Sequence, residues 1–323
     1  TAFTPLFSFE IPPLATGIVL AIVLGLVVIG GIKRIGKVTE KIVPFMAVIY
    51  IIGTLIIFFM NINRVPDVFG AIFKSAFGFD AVAGGISGAL IKEAMTMGLK
   101  RGIFSNEAGL GSSVMVHSAS DVKEPAVQGM WGIFEVFFDT FVVCTITAFS
   151  ILSTGIIDLE TGAVQGSLEG TQLVTEAFSR SIHSAAGIFV AVSTLFFAFS
   201  TVLGWSFYGT KSMEYLFGEK IAMVYKVIFV LFTIVGATMK LDLAWEITDT
   251  LNGLMAVPNL FGVLLLSGVV VRVTRNYVKR VIKKTEPDAE PMLSAYPEIQ
   301  AEQAEKLKAE YSVDADAEFV LAE

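Results

Sequence analysis

Long apolar stretches recur along the chain, and shorter polar or charged segments separate them. The first stretch, 14–32, contains no charged side chain, and a helix of about 20 such residues crosses the hydrocarbon core of a bilayer. The pattern predicts seven membrane spans: 14–32, 43–60, 81–120 in broken form, 126–152, 184–209, 221–239 and 244–271. We therefore predict an all-α polytopic membrane protein with a membrane domain over 1–284 and an acidic tail over 285–323.

The third predicted span is the least regular one. Between Gly98 and Ser113 it reads GLKRGIFSNEAGLGSS, with the polar run Ser105–Glu107 among several glycines. Each glycine in a helix interior costs about 1 kcal/mol relative to alanine. We expect a first half-helix to about Phe104, an unwound middle, and a second half from about Leu110. Because lipid cannot satisfy free backbone groups, the middle must be buried in protein or line a wet cavity.

The unwound middle predicts a binding site. Carbonyl groups released around Ile103–Asn106 suit a cation or an ammonium group, and N–H groups near Leu110–Ser113 suit a carboxylate. An amino acid zwitterion needs both kinds of partner. Glu107 either holds a cation, orders the unwound backbone, or is a structural carboxylate bonded to nearby N–H groups. Broken helices of this kind are where secondary transporters bind substrates and coupling ions.

The fifth predicted span carries a second candidate group. Thr201 and Trp205 are four positions apart and therefore share one helix face. A hydroxyl group can ligate sodium, and an indole can form the wall of a small side-chain pocket. Ordinary core packing also explains the tryptophan, and Ser200 and Thr201 can instead bond back to their own helix.

Charged side chains inside predicted spans need partners or a wet cavity, because lipid solvates them poorly. The broken span contains four of them: Lys92, Glu93, Lys100 and Arg101. We interpret these four as ion pairs near the outer rim or on a cavity wall. Asp139 and Asp249 lie in later spans, and each is either a functional acid or a satisfied structural one.

The remaining reactive side chains predict no catalysis. His117 and His183 fall near span boundaries, no carboxylate–histidine pair is visible in the sequence, and we interpret both as structural. Cys144, the one cysteine, is predicted to be a buried small hydrophobe. The sequence contains no nucleophile elbow, HExxH helix or P-loop, so we predict neither an enzyme nor an ATP-driven pump, and no catalytic residue.

Composition and charge support the membrane class and orient the chain. Apolar residues make up 54% of the sequence, and the mean hydropathy is +0.72. The net charge of −7 comes from the tail, where 286–323 carries 11 acids and two lysines. The basic segments 33–41 and 272–284 fall on one side of the predicted spans, and the acidic segment 153–183 falls on the other. The positive-inside rule then predicts a multi-pass protein of the plasma (inner) membrane with a cytoplasmic C-terminus. No basic patch suggests nucleic acid as a partner.

Six sequence blocks together resemble the sodium:alanine symporter family, also called the alanine or glycine:cation symporters. In chain order they are GGIKRIGKVTEKIVPFMAVIY (30–50), KRGIFSNEAGLGS (100–112), KEPAVQG (123–129), DTFVVCTITA (139–148), FSTVLGWSFYG (199–209) and GLMAVPNL (253–260). The resemblance covers about residues 1–280 and leaves out the acidic tail. The segment after GLGS reads SVMVHSAS, which is bulkier than the small-residue run expected of the family.

The resemblance implies a LeuT-type fold of the APC superfamily, a ten-helix core of two inverted repeats with one additional helix before it. The seven predicted spans would be core helices four to ten. We therefore expect an N-terminally incomplete chain without the additional helix and core helices one to three. By match to the family, the alanine pocket would be lined by Phe104, Ser105, Asn106, Glu107, Ala108, Gly109, Thr201 and Trp205. The sodium ion would bind the Phe197 carbonyl, Ser200 and Thr201.

The function that the resemblance implies is sodium-coupled symport of a small neutral amino acid, alanine or glycine, into the cell by alternating access. Sodium is the expected coupling ion, no other cofactor is expected, and the lipid bilayer is the expected surrounding. Trp205 would limit the size of the substrate side chain. Two alternatives stay open: a proton-coupled amino acid carrier that uses Glu107 or Asp139, and a non-transporting fragment or membrane scaffold that lacks the first core helices.

Overall fold

The computed structural model describes residues 11–77, 87–166, 168–294 and 296–305. In chain order the α-helices of these ranges are α1 Pro13–Val28, α2 Ile32–Met60, α3 Val65–Phe77, α4 Ser87–Asn106, α5 Val114–His117, α6 Pro125–Phe137, α7 Thr145–Leu152, α8 Gly170–Ile182, α9 Ala185–Phe217, α10 Glu219–Thr238 and α11 Leu241–Tyr277. Two stretches are π-helical, Phe138–Cys144 and Val278–Ile282. Within the described ranges β-type pairing is limited to one isolated bridge between Ile157 and Val164. The predicted all-α class is confirmed.

Helices of membrane-spanning length dominate the structure. Among the described residues, the helical stretches long and apolar enough to cross a bilayer are Ile32–Met60, Pro125–Leu152, Ala185–Phe217, Glu219–Thr238 and Leu241–Ile282. α1 is also apolar but has only 16 residues. These helices support a multi-pass membrane protein. The positions at which the bilayer begins and ends along them stay predictions.

The basic segment after the first apolar stretch is helical rather than a loop. α1 ends at Val28, and Gly31 follows with a φ of 74°, a left-handed conformation that glycine adopts readily. α2 then begins at Ile32 and continues through Pro44. Because lysine and arginine are good helix formers, α2 begins about three turns before the predicted span boundary at 43.

The described helices fall into two compact units. The first contains the described parts of Thr1–Asn106 and Phe138–Leu251, and the second contains those of Glu107–Phe137 and Asn252–Glu323. Two apolar clusters form the core of the first unit. One consists of Ile57, Ile156, Ala177, Phe178, Ala186 and Val190. The other consists of Leu24, Val28, Ile35, Leu203 and Phe207, from α1, α2 and α9. Lipid tails are as apolar as these side chains, so close van der Waals packing is what favours helix contact over lipid contact.

Hydrogen bonds tie α2 to α7 within the first unit. The Ser150 hydroxyl donates to the Thr54 carbonyl at 3.0 Å, and both residues are buried. The hydroxyls of Tyr50 and Thr147 share a hydrogen bond of 2.8 Å. Polar side chains between helices hold neighbouring spans in register because hydrocarbon offers them no other partner.

In the second unit, the chain after α11 folds back on the end of that helix. The Asn276 amide donates to the Glu290 carbonyl at 2.9 Å, and its oxygen accepts the Met292 N–H at 3.1 Å. Glu124, just before α6, pairs with Arg280, and their side chains are 8% and 12% exposed. The first residues of the acidic tail therefore pack against the basic end of α11.

Candidate functional site

The helix is interrupted after Asn106, as the sequence predicts. α4 ends at that residue, Glu107 has a φ of 54°, and Gly109 and Gly111 have φ values of 92° and 84°. Glycine adopts left-handed backbone at little cost, whereas a glutamate needs contacts that hold it there. The three positive φ values prevent a continuous helix across this stretch.

The helix that follows the interruption is shorter than predicted. α5 contains four residues, Val114–His117, instead of a second half-helix that starts near Leu110. A single turn aligns few peptide dipoles, so its N-terminus attracts a carboxylate much less than a full helix would. A carboxylate at Leu110–Ser113 would therefore depend on individual N–H groups of the interrupted backbone.

The last turn of α4 hydrogen-bonds to the π stretch Phe138–Cys144, within the first unit. The Ser105 hydroxyl donates to Asp139 Oδ2 at 2.6 Å, and Asn106 Nδ2 donates to Thr140 Oγ1 at 3.0 Å. π stretches occur frequently at functional sites. One predicted pocket residue, Ser105, thus contacts the acid that the sequence singled out, and a second, Asn106, contacts the threonine next to it. The polar pair at 139–140 interrupts an apolar run, but nothing in the sequence indicates the π geometry.

Cys144 lies at the end of the same π stretch and is exposed, so the prediction of a buried cysteine is wrong. Its sulfur is 3.6 Å from the Ser105 hydroxyl oxygen. A thiol is only a weak hydrogen-bonding group, so it competes little with Asp139 for that hydroxyl. The cysteine is therefore a neighbour of the candidate site and not part of the core.

A cluster of charged and aromatic side chains joins α4 to the first turns of α11. Arg101 Nη2 donates to Asp249 Oδ2 at 2.7 Å, and Lys100 Nζ lies 3.6 Å from the same oxygen. The Arg101 guanidinium also lies over the Trp245 ring, 4.2 Å from its centroid, and Phe104 packs against that ring with centroids 4.9 Å apart. The predicted ion pairing is confirmed for Lys100 and Arg101.

In the second unit, two side chains hold the interrupted backbone. The Ser112 hydroxyl, which is fully buried, donates to the Glu107 carboxylate at 2.6 Å. Asn259 Nδ2 donates to the Gly109 carbonyl at 3.0 Å. A Cβ at Gly111 would lie 2.7 Å from Asn259 Oδ1, so this position favours glycine for space as well as for φ. These contacts favour the interpretation that the Glu107 carboxylate orders the backbone.

Sequence reasoning missed three residues of these clusters: Ser112, Trp245 and Asn259. Ser112 and Asn259 lie inside blocks that carry the family resemblance, so a signal for them existed. For Trp245 the signal was its spacing, because it precedes Asp249 by four positions and shares that helix face.

The site residues predicted on α9 contact their own helix and α2. The Ser200 hydroxyl donates to the Phe197 carbonyl at 3.0 Å and lies 3.6 Å from Met46 Sδ. Thr201 is exposed, and the half-buried Trp205 packs edge-on against Tyr208 with centroids 5.5 Å apart. The hydroxyl and carbonyl proposed for sodium are thus adjacent, although a serine bonded to its own helix has the same geometry.

His117 lies beside a carboxylate that is not visible as its partner in the sequence. Its Nε2 lies 3.3 Å from Glu135 Oε2, and its Nδ1 lies 2.6 Å from Gln128 Nε2. The second histidine, His183, follows α8 with a φ of 50°. Spacing along the chain could not reveal the contact between His117 and Glu135, because these side chains meet only when α5 packs against α6.

Comparison with known proteins identifies related sequences. The model of the sodium:alanine symporter family matches residues 2–291. The sodium/alanine symporter AgcS of Methanococcus maripaludis is 47% identical over 270 residues, which are 84% of this chain and 58% of that protein. The sodium/proton-dependent alanine carrier protein of a Bacillus species is 36% identical over 87% of this chain and 65% of its own length. The probable sodium/glutamine symporter GlnT of Bacillus subtilis is 36% identical over 84% of this chain and 55% of its own length.

The chain therefore spans a little more than half the length of these curated relatives. All six resemblance blocks lie within the matched residues 2–291, and most of the acidic tail lies outside them. The interruption after Asn106, the π stretch and the end of α11 all fall inside the matched region.

Proposed function

The chain belongs to the sodium:alanine symporter family, and from this premise we propose that it serves sodium-coupled symport of a small neutral amino acid, alanine or glycine. Transport would proceed into the cell by alternating access. The observation that carries the proposal is the helix interruption after Asn106, where Glu107 and two glycines have positive φ. Interrupted helices free the backbone groups that secondary transporters offer to substrates and ions.

The proposed substrate contacts are those that the family resemblance implies: Phe104, Ser105, Asn106, Glu107, Ala108, Gly109, Thr201 and Trp205. The packing of Phe104 on Trp245 supports an aromatic wall at that position. Ser105 and Asn106 end α4, where unsatisfied carbonyl groups attract an ammonium group. On α9, the half-buried Trp205 would limit the size of the substrate side chain.

For the coupling sodium ion, we propose the Phe197 carbonyl with the hydroxyls of Ser200 and Thr201. Hard cations take oxygen ligands. The 3.0 Å separation of the Ser200 hydroxyl and the Phe197 carbonyl supports this set, because two such oxygens already lie together. On binding, the Ser200 hydroxyl would turn its proton away from the carbonyl, so that both oxygens face the ion.

We also propose a LeuT-type arrangement of inverted repeats in the inner membrane, with the C-terminus in the cytoplasm. The family membership supports the arrangement. The basic side chains that follow the apolar part of α11 support the orientation, because cytoplasmic boundaries of spans are enriched in lysine and arginine.

The test is uptake of radiolabelled alanine and glycine by liposomes that contain the purified 323-residue chain. We expect uptake under an inward sodium gradient and none under an equal potassium gradient. Circular dichroism of the same liposomes checks that the chain is helical. A helical chain that takes up neither amino acid under a sodium gradient would contradict the proposal and favour the scaffold alternative.

Proton coupling is the second candidate function. One relative is named a sodium/proton-dependent alanine carrier. The Ser105 hydroxyl donates to the Asp139 carboxylate, and it could instead accept a hydrogen bond from the protonated carboxyl. Alanine uptake driven by a pH gradient without sodium would select this candidate. We would then expect Asp139→Asn or Glu107→Gln to abolish the pH-driven component.

A further inference from the structure

We infer that the end of α11 binds the headgroups of anionic phospholipids, and that the acidic tail competes for part of this surface. The segment 272–284 contains no acid and six basic side chains: Arg272, Arg275, Lys279, Arg280, Lys283 and Lys284. It follows the apolar part of α11 and includes the π stretch Val278–Ile282. Clusters of lysine and arginine directly after a membrane span attract anionic lipids. The structure divides these six side chains into a covered one and five exposed ones.

One face of this segment is covered by protein. Asn276 and Arg280 are four positions apart and lie on the same side of the helix. Arg280 pairs with Glu124, and both side chains are nearly buried. The Asn276 amide donates to the Glu290 carbonyl, and its oxygen accepts the Met292 N–H. The charge of Arg280 therefore serves the packing of the second unit.

The other five cations are exposed, and together they are called the basic face: Arg272, Arg275, Lys279, Lys283 and Lys284. The first three follow one another at spacings of three and four, so they share one side of the helix. Lys279 Nζ lies 2.6 Å from Glu286 Oε1. In the described part of the chain, no carboxylate lies within ion-pair distance of the other four. The basic face thus carries more positive charge than the described residues neutralise.

The basic face continues an exposed apolar stripe of α11, a helix long and apolar enough to cross a bilayer. Four large apolar side chains precede it at spacings of three or four, and each is more than half exposed: Leu254, Val257, Phe261 and Leu265. Leu265 precedes Arg272 by two helical turns, or about 10 Å along the helix axis. A phospholipid whose acyl chains cover the stripe therefore has its phosphate beside the basic face.

Apolar side chains among the cations distinguish a lipid from a soluble polyanion. Val281 is 40% exposed and Ile282 is 58% exposed. A bilayer surface covers such side chains with acyl chains while its phosphates meet the neighbouring cations, whereas a soluble polyanion leaves them in water. A guanidinium group binds a phosphate through two parallel hydrogen bonds, and a lysine binds it as a point charge. The side chains of this segment therefore fit an anionic phospholipid surface.

The acidic tail occupies one member of the basic face. Glu286 pairs with Lys279 through its carboxylate, and its N–H donates to the Lys279 carbonyl at 3.4 Å. Both side chains of this pair are about half exposed, and an exposed pair contributes little, so a lipid phosphate can replace the carboxylate. The Glu286 charge also repels anionic headgroups from the cations beside it. Removal of this one negative charge should therefore strengthen lipid binding.

The test measures which lipid lies next to the basic face. In the 323-residue chain, Cys144→Ser removes the one native thiol, and Ile282→Cys provides an exposed position for a fluorophore. The labelled chain is placed in phosphatidylcholine nanodiscs that contain spin-labelled phosphatidylglycerol or, in a parallel sample, spin-labelled phosphatidylcholine. Because the nitroxide quenches the fluorophore on contact, the ratio of the two quenching constants measures the local preference for the anionic lipid. We expect a ratio well above one at low salt and a ratio near one at high salt.

Charge variants test the basic face itself. Each cation at a membrane surface changes the local preference by about fivefold. We expect Arg275→Gln to lower the ratio by about that factor, Arg275→Lys to retain it, and Glu286→Gln to raise it. Leu243→Cys, an exposed position near the other end of α11, is the control label, and its ratio should not respond to these changes. The substituted side chains are exposed, so the variants should keep the fold, which circular dichroism verifies.

Three results would overturn the inference: a ratio near one for the label at position 282 in low salt, a ratio that Arg275→Gln leaves in place, or quenching by neither lipid. The last result would show that another surface covers this face. An unchanged ratio in Glu286→Gln would contradict the competition by the tail. The measurement needs no transport, so a failure of alanine uptake would refute the proposed function and leave the lipid surface to be decided by quenching.

Discussion

Arg101 and Asp249 are separated by 148 positions in the sequence, yet Arg101 Nη2 donates to Asp249 Oδ2 at 2.7 Å. The guanidinium also lies on the Trp245 ring, one helical turn before Asp249. Arg101 Nη1 is buried and has no hydrogen-bond partner among the described residues. The contact between α4 and α11 in the first unit thus depends on one carboxylate and one indole.

We predict that Asp249→Asn destabilises the protein by about 1–2 kcal/mol. It removes the negative charge that pairs with Lys100 and Arg101, and the partial exposure of the side chains keeps the loss below that of a fully buried pair. The measurement is the free energy of unfolding by SDS titration in mixed micelles. Asp242→Asn, on an exposed residue of the same helix, is the matched control. Equal stability of the two variants would show that the ion pair contributes nothing.

Trp205→Ala tests the proposed pocket on α9. We predict a loss of alanine affinity of about tenfold, because the side chain would no longer pack on the substrate, and new uptake of larger amino acids such as leucine. Competition of unlabelled amino acids with radiolabelled alanine measures both effects. Trp131→Ala is the control, because that tryptophan is exposed and is not among the proposed contacts. Unchanged affinity and selectivity in Trp205→Ala would remove this residue from the proposed site.

The packing of α1 on α10 gives a prediction about two glycines. A Cβ at Gly17 would lie 2.8 Å from the Ala237 Cβ and 3.3 Å from the Ile234 Cα, so the helices would have to separate. At Gly25 the added atom would meet Val230 at 3.5 Å, an ordinary contact. We predict that Gly17→Ala costs about 1–3 kcal/mol, whereas Gly25→Ala is neutral or slightly stabilising. Thermal unfolding followed by circular dichroism tests the order of the two variants, and the reverse order would refute this account.

Two neighbouring ion pairs at the end of α11 should differ in strength. Glu124–Arg280 is nearly buried, whereas the side chains of Lys279–Glu286 are 51% and 53% exposed. We predict that Glu124→Gln destabilises the protein by about 3 kcal/mol, because it leaves a buried guanidinium without a counter-charge. Glu286→Gln should cost less than about 0.5 kcal/mol. SDS titration compares both variants, and equal losses would show that burial does not control these pairs.

Asp158, in the loop between α7 and α8, gives a pH prediction. Hydrogen bonds from the Thr161 N–H, the Thr161 hydroxyl and the Glu160 N–H lower the pKa of this carboxyl below its ordinary 3.8. A lowered pKa means that the loop is stabilised above the unfolded pKa and loses that contribution as the pH falls through the folded one. We predict that Thr161→Ala raises the pKa of Asp158, whereas Thr161→Ser retains the hydroxyl and changes it little. The ¹³C shift of the labelled carboxyl measures the pKa, and an equal pKa in both variants would contradict the role of the hydroxyl.

The sequence by itself determined the membrane class, the family and the interruption of the third span. Hydropathy is a local property, and so is the conflict between a helix and the run of glycines with Ser105–Glu107. Both can be recognised without knowing which helices pack together. The same local reasoning predicted that Lys100 and Arg101 need partners, because a charge inside a span is costly wherever it lies.

Only the tertiary structure decided which residues are the partners of these and other polar groups. Asp249 accepts a hydrogen bond from Arg101, and the Glu135 carboxylate lies 3.3 Å from His117. Asn259 donates a hydrogen bond to the Gly109 carbonyl in the interrupted backbone. Each of these contacts depends on which helix faces meet, and packing between helices sets that choice. The exposure of Cys144 and the single turn of α5 follow from the same cause. An apolar sequence predicts that a segment is a helix, but not which side of it is covered or where neighbouring contacts end it.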